Sequence, residues 1–252
     1  MPFQKIQAEK LSDAVVRQIE SLILQGILSP GDRLPSERDL SDQLGVSRPS
    51  LRDALGQLQD DGLLSARPGA GIFVADVLGN AFSPALTRLF ASHDQAVFDY
   101  LDFRKDLEGM AAERAAQFAS DTDLKVIDQA HARLADPAKC TPTQEAALDA
   151  DFHMAICEAS HNVVLLHMLR SMYDLLQQGV FYNRSNMFGH ATTKAQILDQ
   201  HKAINDALQA RDPAGARTAV ETHLDFVAVA LRDQKRADAN EAVAKLKFAK
   251  DD

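Results

Sequence analysis

The chain has no tryptophan, three tyrosines and only two cysteines. Cys140 and Cys157 cannot make a disulfide framework, so a stapled secreted scaffold is excluded and a reducing cytoplasm is the expected setting. No apolar run approaches the ~20 residues that span a bilayer. Residues 1–10 are polar, unlike the apolar core of a secretory leader. Excess positive charge is also missing: 27 Lys and Arg stand against 36 Asp and Glu, a net charge of −9. A non-specific polycation is therefore excluded. Runs of β-branched residues are few outside residues 63–75, which argues against an all-β fold. What is present is 46% hydrophobic residues over 252 positions, rich in Ala, Leu, Asp and Gln. That composition predicts a mostly helical protein of one large or two ordinary domains.

Residues 34–74, LPSERDLSDQLGVSRPSLRDALGQLQDDGLLSARPGAGIFV, carry the strongest local signal. Ser36 can cap a helix, with Asp39 three residues on completing a capping box. That helix runs to Leu44 and stops at Gly45, which suits the left-handed C-terminal position. Ser47 caps the next helix and Pro49 lies in its first turn, where a missing N–H costs nothing. Leu51, Ala54, Leu55 and Leu58 make its apolar face, while Arg48 and Arg52 share another face near the N-terminus. Residues 63–66 and 72–75 read as short strands, with Arg67, Pro68, Gly69, Ala70 and Gly71 as the tip between them. Two capped helices and a glycine-tipped hairpin make a winged helix-turn-helix. The N-terminal residues of a recognition helix reach base edges in the major groove, and arginine binds guanine O6/N7 bidentately. Residues 1–75 hold eight Lys and Arg against ten Asp and Glu, so a DNA interface here rests on local placement, not on total charge.

The runs PGDRLPSERDL, GVSRPSLRDAL and GLL…RPGAGIFV, within residues 11–75, resemble the GntR superfamily of bacterial transcription regulators. The resemblance implies DNA contacts from Arg38, Arg48 and Arg52 and a wing glycine at Gly69. Asp53 stands where many members have Glu. The candidate DNA-contacting set is Arg38, Ser47, Arg48, Ser50, Arg52, Arg67 and Gly69. Taken alone, the arginines read equally well as solvated helix charges.

Elsewhere the helical period dominates. Leu11, Val15, Ile19, Leu22 and Ile23 mark a supporting helix that ends at Gly26, before a Pro30-Gly31 turn. A linker is expected over 76–84. Helices are expected near 85–92, 94–118, 121–135, 142–160, 162–184, 193–210 and 213–234, punctuated by Pro137, Pro142, Asn162, Gly189 and Asp212-Pro213. Residues 85–234 then form one all-α bundle, and 235–252 a tail whose residues 241–250 read as a frayed helix.

The bundle carries a second constellation. Asp149 and His153, four apart in LDADFHMAI, share a helical face. His201 in DQHKAI and His223 in VETHLDF each have apolar neighbours on their own helices. If these helices pack inward, one carboxylate and three imidazoles converge, a donor set suited to Zn, Ni, Mn or Fe. A histidine on an apolar face also reads as an ordinary packed residue.

DYLDFRKDLEGMAAERAA, LDADFHMAICEASHN, DQHKAINDAL and VETHLDF resemble the FCD ligand-binding domain of the FadR subfamily, over about residues 94–234. In metal-binding members the positions matching Asp149, His153, His201 and His223 hold the metal. Within the family the chain resembles regulators of pyruvate, glycolate and lactate metabolism. The resemblance implies a homodimeric repressor that reads a near-palindromic operator and senses a two- or three-carbon 2-oxo or 2-hydroxy acid chelated by the metal. Arg104 is the candidate partner for the acid's carboxylate, with a salt bridge to Glu108 as its alternative. Asn162 is a candidate donor to the ligand, with an N-cap as its alternative. Sugar-acid or fatty-acyl effectors are the other regulator readings, and a structural metal in a scaffold is a further one. Asp/His₃ sites also hydrolyse and oxidise, but the chain has no nucleophile elbow, phosphate loop or HExxH. Asp151 falls on a different helical face from the ligands, so no enzyme is expected.

Overall fold

The structure, a computed structural model, describes residues 10–76, 84–135, 140–177 and 191–248. The chain divides into two compact units, Met1–Ala81 and Phe82–Asp252. The expected linker over 76–84, the Pro137 and Gly189 breaks and the far end of the 162–184 helix lie largely outside the described residues.

The first unit is α1 (Leu11–Leu24), α2 (Glu37–Leu44), α3 (Arg48–Asp60), β1 (Leu64–Arg67) and β2 (Gly71–Val74). The local chemistry sets the boundaries. Ser36 Oγ accepts from the Asp39 N–H at 3.2 Å and donates to the Asp39 carboxylate at 2.7 Å. The Asp39 carboxylate thus meets the serine hydroxyl rather than the Ser36 N–H, so the cap forms without the reciprocal bond of the expected capping box. Gly45 ends α2 at φ 64°, the left-handed conformation that glycine adopts freely. Ser47 Oγ accepts from the Ser50 N–H at the start of α3, with Pro49 in the first turn. β1 and β2 pair antiparallel, Leu64 opposite Val74 and Arg67 opposite Gly71. Arg67 therefore belongs to the ladder, and the tip is tighter than the expected five residues. The Ala70 N–H donates to the Arg67 carbonyl at 3.0 Å, with Pro68 and Gly69 (φ 73°) at the two central positions of a type II turn. Val15, Ile19, Leu34, Leu40, Leu51, Leu55, Leu58, Leu64 and Val74 form the core of this unit.

The second unit is all-α among the described residues: α4 (Pro84–Ala91), α5 (Asp94–Phe118), α6 (Asp121–Ala135), α7 (Pro142–Ala159), α8 (Val163–Gln177), α9 (Ala191–Gln209) and α10 (Pro213–Phe248). The long α5 packs against α10, α7, α8 and α9. Small residues let it do so. Ala112, Ala115, Ala116 and Ala119 face Leu124, Ile127, Phe152, Ile204, Leu208, Val220 and Leu224 in the largest core cluster. At Gly109 a Cβ would come within 3.3 Å of the Glu221 side chain, so α5 and α10 approach closely there. Two helix ends use non-glycine residues at positive φ, His161 (49°) and Arg211 (52°). His161 is held by Asp123 at 2.9 Å, and Arg211 donates to the Ala119 carbonyl at 2.8 Å.

One boundary differs from expectation. α10 does not stop at 234 but continues to Phe248. Residues 235–248, KRADANEAVAKLKF, contain neither Gly nor Pro and are rich in strong helix formers, so nothing interrupts the hydrogen-bond ladder. From residue 236 onward this extension is exposed. Among the described residues no helix is long and apolar enough to cross a membrane.

Candidate metal centre and nucleic-acid interface

α7 has a complete capping box, Thr141 with Gln144, and presents Asp149 and His153 one turn apart on the same face. α9 supplies His201 and α10 supplies His223. All four are at most 2% exposed. One ligand atom from each lies within 4.8 Å of every other. Asp149 Oδ1 is 3.1 Å from His201 Nε2 and 3.9 Å from His153 Nε2, and the two Nε2 atoms are 3.3 Å apart. The His201 and His223 ring centroids are 4.5 Å apart. Phe152 sets its ring edge-on to both His153 and His201, closing one side with apolar surface.

These residues fit a divalent metal. Ligands about 2.1 Å from a common ion stand at most about 4.2 Å apart. The three separations above are within that limit, and the widest spacing closes with a shift of a few tenths of an ångström. Three imidazole nitrogens and one carboxylate oxygen suit first-row transition metals that leave coordination positions open. A cluster of four polar groups buried this deeply needs compensation, and an ion shared by all four would provide it.

Behind the ligands stands a further layer. Glu108 Oε2 is 2.8 Å from His153 Nδ1. Glu108 Oε1 accepts from Arg104 Nε at 2.6 Å and from the Tyr173 hydroxyl at 3.0 Å, and Arg104 Nη2 donates to the Tyr173 oxygen at 2.8 Å. Burial alone would push the Glu108 carboxyl up. The Arg104 guanidinium and His153 more than offset it and hold the carboxyl well below the usual carboxylate range. Burial likewise pushes the Tyr173 phenol well up, keeping it a neutral donor. Behind His223, Gln200 Oε1 lies 3.0 Å from Nδ1.

The structure thus brings together the four expected ligands. Arg104 is not among the four clustered groups. Its alternative reading holds, a salt bridge to Glu108, and the guanidinium is 1% exposed. Asn162 is placed elsewhere: its Oδ1 accepts from the Leu165 N–H at 3.1 Å and caps α8. It lies past the end of α7, which stops at Ala159. Asp151 is exposed. Sequence reasoning passed over Glu108, Gln200 and Tyr173 as supports. The signal for Glu108 was its spacing of four from Arg104, which reads as a surface pair until burial is known.

In the first unit Arg38, Ser47, Arg48, Arg52, Arg67 and Gly69 are exposed, and Ser50 is half-buried. Arg48 and Arg52 stand one turn apart at the start of α3. Arg52 Nε donates to Glu37 Oε2 at 2.7 Å, and Arg67 stacks on the Phe73 ring at 4.2 Å. The Ser47 and Ser50 hydroxyls are 2.9 Å apart, part of the α3 cap.

Residues 11–74 match the model of the bacterial regulatory proteins of the gntR family, and residues 99–226 match the FCD domain. An Escherichia coli (strain K12) protein named for regulation of the L-lactate dehydrogenase operon is 38% identical over 240 residues, covering 92% of this chain and 90% of its own length. The Glc operon transcriptional activator of the same strain is 34% identical over 233 residues, covering 91% and 92%. Among solved structures, Streptococcus agalactiae GntR aligns with a TM-score of 0.55 at 24% identity, over 86% of this chain and 98% of its own. That last likeness concerns the fold alone.

Proposed function

The chain belongs to the gntR family of bacterial regulatory proteins and carries an FCD domain; it is a ligand-responsive, DNA-binding transcriptional regulator rather than an enzyme, and from that premise we propose that it senses a small 2-hydroxy or 2-oxo acid at the Asp149/His153/His201/His223 centre. The observation that carries the reading is the closed set of four buried donors, with three imidazole nitrogens and one carboxylate oxygen converging. A bound transition metal would supply coordination positions for the acid's carboxylate and α-oxygen. The names of the lactate and Glc operon relatives favour lactate or glycolate, with pyruvate as the oxo counterpart.

In this reading residues 1–75 read DNA, 76–84 link, and 85–234 bind effector and dimerise. Two wings on a two-fold axis meet a near-palindrome, their recognition helices about 34 Å apart or a nearby multiple. Arg48 and Arg52 reach base edges from the start of α3. Arg38, Ser47, Ser50, Arg67 and Gly69 meet the backbone or the minor groove. The protein acts in the cytoplasm, where its operator is. The effector works by binding the two arrangements of the wings with different affinity. One relative is named an activator.

Titration of metal-loaded protein with L-lactate, glycolate, pyruvate and a sugar acid tests this, read by calorimetry and by gel shift on a duplex selected by the protein from a random pool. Saturable binding of one short acid, lost in metal-free protein and accompanied by changed DNA affinity, is expected. Binding of the sugar acid alone would move the effector class. Equal binding with and without metal would overturn the site.

A further inference from the structure

The four donors need more than proximity. An imidazole offers its lone pair from one nitrogen only, and the other must carry the proton. Which nitrogen does so is decided by what the ring faces on its far side. His153 turns Nδ1 to Glu108 Oε2 at 2.8 Å and Nε2 to Asp149 and His201. We infer that Glu108 is the positioning residue that makes His153 a metal ligand, with Arg104 and Tyr173 holding its carboxylate in place; this rests on the metal reading above.

Three features support it. Both groups that hold the carboxylate, Arg104 Nε and the Tyr173 hydroxyl, engage Oε1. Oε2 accepts no aligned hydrogen bond and lies 2.8 Å from His153 Nδ1, so it is a buried acceptor that a small rotation of the imidazole would satisfy, and the two oxygens have separate tasks. The carboxylate is 2% exposed, so water does not compete for it. The network is built from three helices, α5, α7 and α8, so the ring orientation is set by the packed bundle rather than by a side chain free to rotate. A carboxylate behind a ligating histidine also makes the imidazole a stronger donor. The support behind His223 is the neutral amide of Gln200, so the two histidines are held by groups that differ by a full charge. Arg104 in this arrangement serves the centre through Glu108 and is not the effector's carboxylate anchor.

The test uses the full chain and zinc. Glu108→Gln keeps the volume and one acceptor but removes the charge, and it can turn its NH₂ toward Nδ1. Zinc affinity, measured by competition with a chelator and without any acid present, is expected to fall about 10–100-fold. Zinc affinity within twofold of wild type, with weakened acid binding instead, would overturn the inference in favour of a direct effector role for Arg104. Should the variant fail to fold, the unmutated protein decides. Long-range ¹⁵N spectra of metal-free wild type are expected to show His153 protonated at Nδ1. An unprotonated Nδ1 with the proton on Nε2 overturns the inference whether or not zinc binds. Failure of the wild type to take up any divalent ion would instead count against the metal reading.

Discussion

In the first unit the candidate DNA contacts Arg38, Arg48, Arg52 and Arg67 stand in solvent within a span of thirty residues. In the second, Asp149, His153, His201 and His223 are drawn from three helices over a span of 75 residues and are almost wholly buried. The first arrangement costs the fold little, because hydrated cations at a helix surface are paid no desolvation. Their ion pairs, such as Arg52 with Glu37, are exposed and worth little. The second is a polar cluster inside an alanine- and leucine-rich core, where every group needs a partner. One unit can therefore lose its function without losing its stability. In the other, function and stability are linked.

The sharpest way to break that contrast is through the metal. Zinc held at about a thousandfold over its Kd should stabilise the second unit by about 4 kcal/mol, since it binds the folded state. Urea unfolding followed with and without a chelator measures this. His201→Ala should remove most of the gain and blunt the response to acid. A variant that retains a full equivalent of zinc and the wild-type shift would show that His201 is only a packed core histidine. The first unit has no such ligand set among its described residues.

The surface side of the comparison makes the opposite demand. Arg48→Ala and Arg52→Ala should each weaken specific DNA binding by about 1–3 kcal/mol. Unfolding free energy should move by no more than about 0.5 kcal/mol. Gel shifts at fixed salt on the selected duplex, beside urea melts, check both halves. Normal DNA affinity in the double variant would remove these residues from the interface. A large loss of stability would show that the two units are not so different after all.

The same contrast explains what could be read in advance. The first unit is legible because its determinants are local. Ser36, Gly45, Ser47 and Gly69 each act on backbone within a few residues, and the elements fall within a residue or so of expectation. In the second unit the i, i+4 pair Asp149/His153 is local, and its shared face follows from helical period alone. The convergence of His201 and His223 on that pair is tertiary; their apolar neighbours made it conditional on inward packing, and the family resemblance selected it. Glu108 shows the limit most clearly. Four residues after Arg104 it looks like any surface ion pair, and nothing nearby in sequence says that both side chains are buried or that the free oxygen faces His153. Likewise Arg211 follows α9 at positive φ, and its side chain reaches the Ala119 carbonyl just past the end of α5, a contact that is not local in sequence. In α10 the part over 241–248 is legible as a frayed helix, but its continuity with 213–234 runs through 235–240, KRADAN, which has no large apolar residue and rests on propensity.

The smallest effect expected concerns helix caps, where the two units should behave alike. Ser47 caps α3. Ser120 caps α6, with the Ser120 N–H and hydroxyl both donating to Asp123 Oδ2 at 2.7 Å and the Asp123 N–H donating back to Ser120 Oγ at 3.1 Å. Ser47→Ala and Asp123→Ala should each cost about 1 kcal/mol, the ordinary worth of a cap. The two differ in pH dependence. Burial acts to raise the Asp123 carboxyl, but the Ser120 hydrogen bonds and His161 prevail and hold it below its ordinary value of 3.8. A carboxyl lowered in the folded state contributes stability that is present above the unfolded value and is lost as pH falls through the folded one. The cost of Asp123→Ala should therefore be full near neutrality and shrink below about pH 4, as wild type loses the same contribution. Ser47 has no titrating group, so the Ser47→Ala cost should be flat over that range. Urea melts at pH 7 and pH 3.5 measure both. Equal costs at pH 7 would place the difference between the units in the burial of their functional side chains and not in how their helices are built. A Ser47→Ala cost several times that of Asp123→Ala would show that the exposed reading head depends on its local caps in a way the bundle does not.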